Sequence, residues 1–163
     1  MPINHFIIDG MNMAYRQHSI NFELRSSDGS PSGMIYGFIK SILSLKKNYR
    51  GYKFSVAWDN KAHWKFDLFP NYKSDRIPLP STVAPQIHFI KELLASINVD
   101  QYEKEGEEAD DVIASFVEVT KTDTEVGAII IYGNDKDLLQ LVQTGKVIVF
   151  RPRESKRMDW LLQ

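Results

Sequence analysis

The stretch EGEEADDVIASF, residues 105–116, places five carboxylates within seven residues, directly ahead of an apolar run. Like charges at helical spacing repel one another, and few cations stand nearby in the sequence. Further acids end or follow candidate strands: Asp9 after HFII, Asp59 after SVAW, and Asp135 with Asp137 in GNDKD. If the fold brings these carboxylates together in one cleft, their mutual repulsion and burial cost free energy unless divalent cations are bound. The candidate metal ligands are Asp9, Asp59, Glu108, Asp110, Asp111, Asp135 and Asp137.

Carboxylates without cysteine or histidine partners select Mg²⁺ or Mn²⁺ over zinc. The chain has no cysteine, and its four histidines are scattered without ligand spacing. Two such ions about 4 Å apart can clamp the attacking and leaving oxygens when water attacks a phosphodiester in line. Nucleic acid is therefore the leading substrate class. An alternative stays open for any single acid, because Asp at a strand-to-helix turn often serves only as a helix N-cap or in an Asx-turn.

Composition predicts one compact domain, because 163 residues with 43% hydrophobic content suffice for a sizeable core. No apolar segment is long enough for a membrane span, and no secretory leader stands at the N-terminus, so we expect a cytoplasmic protein. A formal net charge of −1 excludes a global basic field. Cations nevertheless cluster locally, at Lys61, Lys65, Lys73 and Arg76 and in the tail at Arg151, Arg153, Lys156 and Arg157.

Strand-like apolar runs alternate with amphipathic, helix-like segments along the chain. The predicted strands are 5–9, 53–59, 127–133 and 146–150, with a weaker one near 99–102. The predicted helices are 31–49, 81–96 and 107–121, with a short one at 136–142. This alternation predicts a three-layer α/β fold, with a mostly parallel central sheet covered by helices on both faces. Ligands of such sheets bind at the carboxyl ends of the strands, where the predicted acids lie.

Six linked motifs occur in order between Ile7 and Val142. They are IIDGMNMAYR, SPSGMIYGF, VAWD, FPNYKSDRIPLP, GEEADDVIA and YGNDKDLLQLV. Together they resemble the 5′ nucleases: the 5′→3′ exonuclease domain of bacterial DNA polymerase I, the phage 5′ nucleases and the flap endonucleases. The resemblance implies a PIN-like catalytic core that hydrolyses DNA with divalent metal. The ADD and GNDKD blocks also occur, more loosely, in PIN-type ribonucleases.

The same resemblance assigns roles to individual residues. It implies a first metal site formed by Asp9, Asp59, Glu108 and Asp110. It implies that Asp111, Asp135 and Asp137 bridge towards or form a second site. Lys73 and Arg76 match a basic motif beside the active site, where cations contact a phosphate and stabilise the transition state; a solvated basic loop is the alternative. Tyr15 and Arg16 are expected to touch the substrate backbone, although Tyr15 is equally suited to the core.

Residues 60–80 interleave aromatic side chains with cations, which is the pattern of a single-strand path in which bases stack and phosphates pair. Within this segment we expect Lys61, Lys65 and Tyr72 to bind nucleic acid. The resemblance implies that the segment forms an arch or gateway over the active site. Its three prolines disfavour one continuous helix. The alternative is that the aromatics only pack a long loop onto the body.

The resembled family continues into a C-terminal helical lobe with a helix-hairpin-helix and two further metal-binding aspartates, whereas this sequence stops at Gln163 before any such motif. Residues 1–163 are therefore expected to form a catalytic core alone, either excised or naturally short, with a weakly held second ion. Three hypotheses follow. The first is a 5′ nuclease acting on DNA with a free 5′ end or flap, RNA ends remaining open; the others are a PIN-like endoribonuclease and a non-catalytic module that binds nucleic acid or a protein partner.

Overall fold

The computed structural model describes residues 1–60 and 80–152. A central sheet contains five strands: β1 (Ile3–Asp9), β2 (Lys53–Ala57), β3 (Asp100–Tyr102), β4 (Val126–Tyr132) and β5 (Val147–Phe150). Within the described residues, four α-helices and a 3₁₀ helix accompany it: α1 (Gly10–Ile20), α2 (Gly33–Asn48), α3 (Val83–Ser96), α4 (Ala109–Thr120) and the 3₁₀ helix Asp137–Leu141. Within the two described ranges, no helix combines the length and the apolar character that crossing a membrane requires.

The sheet has the strand order β3-β2-β1-β4-β5, and each described neighbouring pair runs parallel. Strand β1 lies at the centre, where Ile8 pairs with Val56 of β2 on one side and with Tyr132 of β4 on the other. The chain first builds outward from β1 to β3 and then returns to add β4 and β5. Strand order therefore reverses between β1 and β4, and the crevice outside their carboxyl ends is where such a sheet binds ligands.

Helices cover both faces of the sheet, as the sequence predicts. Phe6 and Ile8 of β1 belong to the core cluster that the sheet forms with α1, α2 and α3. Ile7 points to the opposite face and belongs to the cluster formed with α4 and the 3₁₀ helix. All three side chains are fully buried, which explains why β1 reads as a continuous apolar run. The three-layer α/β prediction is confirmed.

The predicted elements differ from the observed ones mainly at their ends. Strand β2 stops at Ala57 rather than at residue 59, although the Trp58 N–H still donates to the carbonyl oxygen of Tyr102 at 2.9 Å. Helix α1 was not among the predicted helices. It buries only four residues, one of them Gln17, so its apolar stripe is too short and too polar to stand out by periodicity.

Helix α1 starts immediately after β1 because Gly10 leaves room for the indole of Trp58. A Cβ atom at Gly10 would lie 2.6 Å from Cε3 of Trp58 and 2.8 Å from Cγ1 of Val56. The indole is held in place, since its Nε1–H donates to Oε1 of Gln101 at 2.9 Å and its ring stacks on Phe38 with centroids 5.7 Å apart. The close approach of Gly10 to Trp58 keeps the residues that follow β1 and β2 next to each other.

We predict that Gly10→Ala destabilises the protein. Alanine is normally favoured over glycine in a helix by about 1 kcal/mol. Here the added methyl group overpacks a fixed indole, so we expect the free energy of unfolding to fall by about 1–3 kcal/mol. Urea unfolding measures the change, with Ser44→Ala at an exposed position of α2 as the control. A Gly10→Ala protein as stable as the wild type would contradict this packing.

Candidate metal centre

A cleft of about 140 Å³ opens at the carboxyl ends of the strands, beside the N-terminus of α4. In the part of the chain that the structure describes, four segments contribute acids to it: the end of β1, the residues after β2, the start of α4 and the loop after β4. The carboxylates that line the cleft are Asp9, Asp59, Glu108, Asp110 and Asp135. The structure thus brings together five of the seven acids that the sequence singled out.

Asp9 is the most buried of these acids, with 9% of its surface exposed. Its Oδ1 accepts a hydrogen bond of 2.9 Å from the N–H of Asn12, so Asp9 is the N-cap of α1. Burial raises the pKa of the Asp9 carboxyl to about 7, against the opposing effect of the Asn12 N–H. Repulsion from Asp59, Asp135 and Asp110 contributes to this rise. Asp9 therefore bears its negative charge at a high free-energy cost unless a cation lies beside it.

Asp59 joins the end of β2 to the start of α4. Its Oδ1 accepts a hydrogen bond of 2.7 Å from the N–H of Ala109, the first residue of that helix. Next to it, the N–H of Asn60 donates to the carbonyl oxygen of Glu107 at 2.9 Å. These two bonds hold the Asp59 carboxylate beside the acids of α4.

Glu108, Asp110 and Asp111 form a compact group at the start of α4. Each offers one carboxylate oxygen within 4.8 Å of the others. The dipole of a helix N-terminus reduces the repulsion in such a group. Glu108 and Asp110 line the cleft with Asp9, whereas Asp111 lines a groove between β3 and α4 together with Tyr102 and Phe116.

The acids after β4 are more exposed. Oδ1 of Asp135 accepts a hydrogen bond of 3.0 Å from the N–H of Asp137, which begins the 3₁₀ helix. Gly133 allows this loop to approach β1, because a Cβ there would lie 2.9 Å from Cδ1 of Leu138 and 3.3 Å from Cβ of Asp9. Asp135 consequently reaches the cleft, while Asp137 is exposed on the 3₁₀ helix.

The residues predicted to bind nucleic acid are described only in part. Tyr15 lines the carboxylate cleft, and Arg16 lies next to it in a groove of about 520 Å³ on the side of α1. The guanidinium of Arg16 donates to the carbonyl oxygen of Pro152, which ties α1 to the end of β5. The segment 60–80 is described only at Asn60 and Pro80. Five predicted site residues lie outside the described residues: Lys61, Lys65, Tyr72, Lys73 and Arg76.

Sequence reasoning missed Asn12. Its backbone N–H donates to Asp9, and its side-chain Oδ1 accepts a hydrogen bond of 3.2 Å from the N–H of Asn134. The available signal was local. The side chain of an N-cap residue accepts a hydrogen bond from the backbone N–H two or three positions later, and Asn12 stands three positions after Asp9. The contact with Asn134, 122 residues away, left no trace in the sequence pattern.

The model of the 5′-3′ exonuclease N-terminal resolvase-like domain matches residues 4–161. The chain belongs to this family. It is 36% identical over 152 residues to a 5′-3′ exonuclease of Aquifex aeolicus, covering 93% of this chain and 52% of that protein. It is 38% identical over 138 residues to DNA polymerase I of Chloroflexus aurantiacus, covering 83% of this chain and 14% of the polymerase.

Solved structures of two other proteins have the same fold. T5 5′-exonuclease with bound divalent metal ions (zinc) superposes with a TM-score of 0.66 at 20% identity, covering 91% of this chain and 55% of that one. The catalytic core of Rad2 in complex with DNA gives a TM-score of 0.57 at 15% identity, covering 96% and 46%. The chain therefore spans about half the length of these relatives, and the structural likeness establishes its fold.

We predict that Asp9→Asn stabilises the metal-free protein at alkaline pH. A carboxyl whose pKa is higher in the folded than in the unfolded protein favours folding below pH 4. This stabilisation is lost as the pH rises through about 7. At pH 8 in EDTA, Asp9→Asn should therefore raise the free energy of unfolding, by up to about 4 kcal/mol.

Urea unfolding at several pH values measures this effect. The wild type should lose stability between pH 4 and pH 7 relative to Asp9→Asn, whereas Asp137→Asn, at an exposed site, should change stability little. Equal pH profiles of the wild type and Asp9→Asn would show that the carboxylate is not strained by its surroundings.

Proposed function

We propose that this chain is the catalytic core of a divalent-metal-dependent nuclease that hydrolyses DNA from a free 5′ end or flap. The observation that carries the proposal is the convergence of five carboxylates from four segments on one cleft, at the point where strand order reverses. A chain of the 5′-3′ exonuclease family with this cleft has the donor set that phosphodiester hydrolysis requires.

The donor chemistry of the cleft fits Mg²⁺ or Mn²⁺. Its described lining contains five carboxylates and the phenol of Tyr15, the chain has no cysteine, and none of the described histidines lines it. Hard oxygen donors of this kind suit Mg²⁺ and Mn²⁺ better than zinc. Bound there, the ions would activate water and offset the charge that develops on the scissile phosphate.

The carboxylates are oriented before any cation arrives. Backbone N–H groups bind Oδ1 of Asp9, of Asp59 and of Asp135 at 2.9, 2.7 and 3.0 Å respectively. One oxygen of each side chain is thus fixed by the backbone, and the second is the one offered to a cation. Hydrogen bonds to ligand groups of this kind set their direction and strengthen metal binding.

We propose that the site holds two ions with different affinities. Asp9, Asp59, Glu108 and Asp110 would hold the first, in the buried part of the cleft. Asp111, Asp135 and Asp137 would hold the second. Asp135 and Asp137 are exposed, so this ion would keep more of its water and bind more weakly.

The remaining chemistry falls to cationic and aromatic residues. Lys73 and Arg76 would stabilise the charge on the phosphate as the water oxygen bonds to phosphorus and the leaving oxygen departs with a proton. Lys61, Lys65 and Tyr72 would guide the single strand, and Tyr15 and Arg16 would contact its backbone beside the cleft. The DNA-bound Rad2 core supports DNA as the substrate.

We predict that Mn²⁺ or Mg²⁺ stabilises the fold, because a cation removes the repulsion among the carboxylates. A ligand that binds only the native state at about 100 times its dissociation constant adds about 2.7 kcal/mol to the free energy of unfolding. Thermal melting in EDTA and in millimolar Mn²⁺ measures the shift. Asp59→Asn, which keeps an oxygen for the Ala109 N–H, should show a smaller shift. An unchanged melting temperature for the wild type would rule out the metal centre.

We predict that Asp110→Asn abolishes cleavage while the fold remains intact, because the change removes a ligand charge without changing side-chain volume. Lys73→Ala should instead lower the cleavage rate more than it lowers Mn²⁺ affinity. A labelled 5′ flap in Mn²⁺ at low ionic strength serves as substrate, with Asp123→Asn in an exposed loop as the control.

Two results would contradict these assignments. Wild-type cleavage by Asp110→Asn would remove that residue from the site, and an equal loss of rate and Mn²⁺ affinity in Lys73→Ala would deny it a separate role. A matched RNA flap in the same assay identifies the substrate: faster cleavage of RNA would overturn the choice of DNA.

A further inference from the structure

Asn12 lines the cleft and contacts both Asp9 at the end of β1 and the loop after β4. It belongs to the first turn of α1, which follows β1, and it is half-buried. Strand β4 neighbours β1 in the sheet, and its following loop carries Asp135. Because Asn12 contacts both segments, it can affect the positions of Asp9 and of Asp135.

Two different groups of Asn12 make contacts on the two sides. The backbone N–H donates to Oδ1 of Asp9 at 2.9 Å, a bond that does not depend on the side chain. The side-chain Oδ1 accepts from the N–H of Asn134 at 3.2 Å. Asn134 directly precedes Asp135, so the amide of Asn12 connects the segment of one cleft carboxylate to that of another.

The loop that carries Asp135 is held at Asn134 from two directions. The Asn12 side chain binds its N–H from the α1 side, and the guanidinium of Arg151 donates to its carbonyl oxygen at 3.0 Å from the β5 side. Gly133, one residue earlier, contributes no side chain that would hold the loop away from Asp9. Removal of the Asn12 acceptor would leave a half-buried N–H unsatisfied and release the loop on the side of Asp9.

We propose that Asn12 is a positioning residue that sets the separation between the Asp9 and Asp135 carboxylates, and thereby the affinity of the cation bound beside Asp135. The inference rests on the proposed metal centre. An asparagine suits this role because its amide oxygen accepts the hydrogen bond without adding another negative charge to the cleft. Hydrogen-bonding partners that orient metal ligands typically contribute about 10–100-fold to metal affinity.

The matched pair Asn12→Ala and Asn134→Ala tests the assignment. Both changes shorten an asparagine that takes part in the same hydrogen bond. Only Asn12→Ala removes that hydrogen bond, because Asn134 takes part through its backbone N–H. Calorimetric titration with Mn²⁺ should show about a 10-fold weaker second site in Asn12→Ala and wild-type affinities in Asn134→Ala. The first site should stay within about 3-fold of the wild type in both proteins, because the Asn12 N–H to Asp9 remains.

A double-mutant cycle with Asp135→Asn isolates the coupling. In the wild type, Asp135→Asn should weaken the second Mn²⁺ site. In the Asn12→Ala background the same change should weaken it much less, because Asp135 is already displaced. Strictly additive losses would show that Asn12 does not act through Asp135 and would overturn the inference.

Further outcomes separate this inference from the proposed function. Wild-type Mn²⁺ affinity in Asn12→Ala, or equal losses in Asn12→Ala and Asn134→Ala, would overturn the inference and leave the metal centre standing. No Mn²⁺ binding to the wild type would overturn the metal centre itself. If Asn12→Ala fails to fold, Asn12→Asp keeps the acceptor oxygen and should bind Mn²⁺ at least as tightly as the wild type, so weaker binding overturns the inference.

Discussion

The buried carboxylate of Asp9 is the constraint on which the site depends. Ionised carboxylates avoid burial unless a partner compensates them, yet Asp9 is 9% exposed and has Asp59, Asp110 and Asp135 as electrostatic neighbours. The backbone N–H of Asn12 offsets only part of this cost, since the pKa still rises to about 7. In the proposed metal centre a divalent cation would be the partner that makes the arrangement favourable, and the stability of the protein and its chemistry would then depend on one interaction.

The fold brings these carboxylates together because backbone segments approach one another closely at glycines, not because long side chains reach across the cleft. Gly10 lets α1 start against the indole of Trp58, and Gly133 lets the loop after β4 approach Asp9. Backbone N–H groups then fix one oxygen each of Asp9, Asp59 and Asp135. Since parallel strands end at the same edge, the reversal of strand order at β1 gathers these short segments around one cleft.

The sequence predicts the three layers and the cleft acids well because each has a local signature. Buried parallel strands read as apolar runs, and an acid after such a run marks a strand end, as at Asp9 and Asp59. Helix α1 was not predicted because its buried face is short and partly polar. The contact between Asn12 and Asn134 and the place of Asp111 in the groove with Tyr102 were not predicted either, since both depend on packing between segments distant in sequence.

The chain spans about half of the 5′-3′ exonuclease relatives, so its metal chemistry is best measured without reference to turnover. Diffraction from crystals soaked in Mn²⁺, collected at the manganese absorption edge, locates the ions directly. The account predicts an anomalous peak within about 2.5 Å of a carboxylate oxygen of Asp9 and of at least one of Asp59, Glu108 and Asp110, with any second peak weaker and beside Asp135. An empty cleft at saturating Mn²⁺, or an ion bound only to exposed acids away from Asp9, would contradict it.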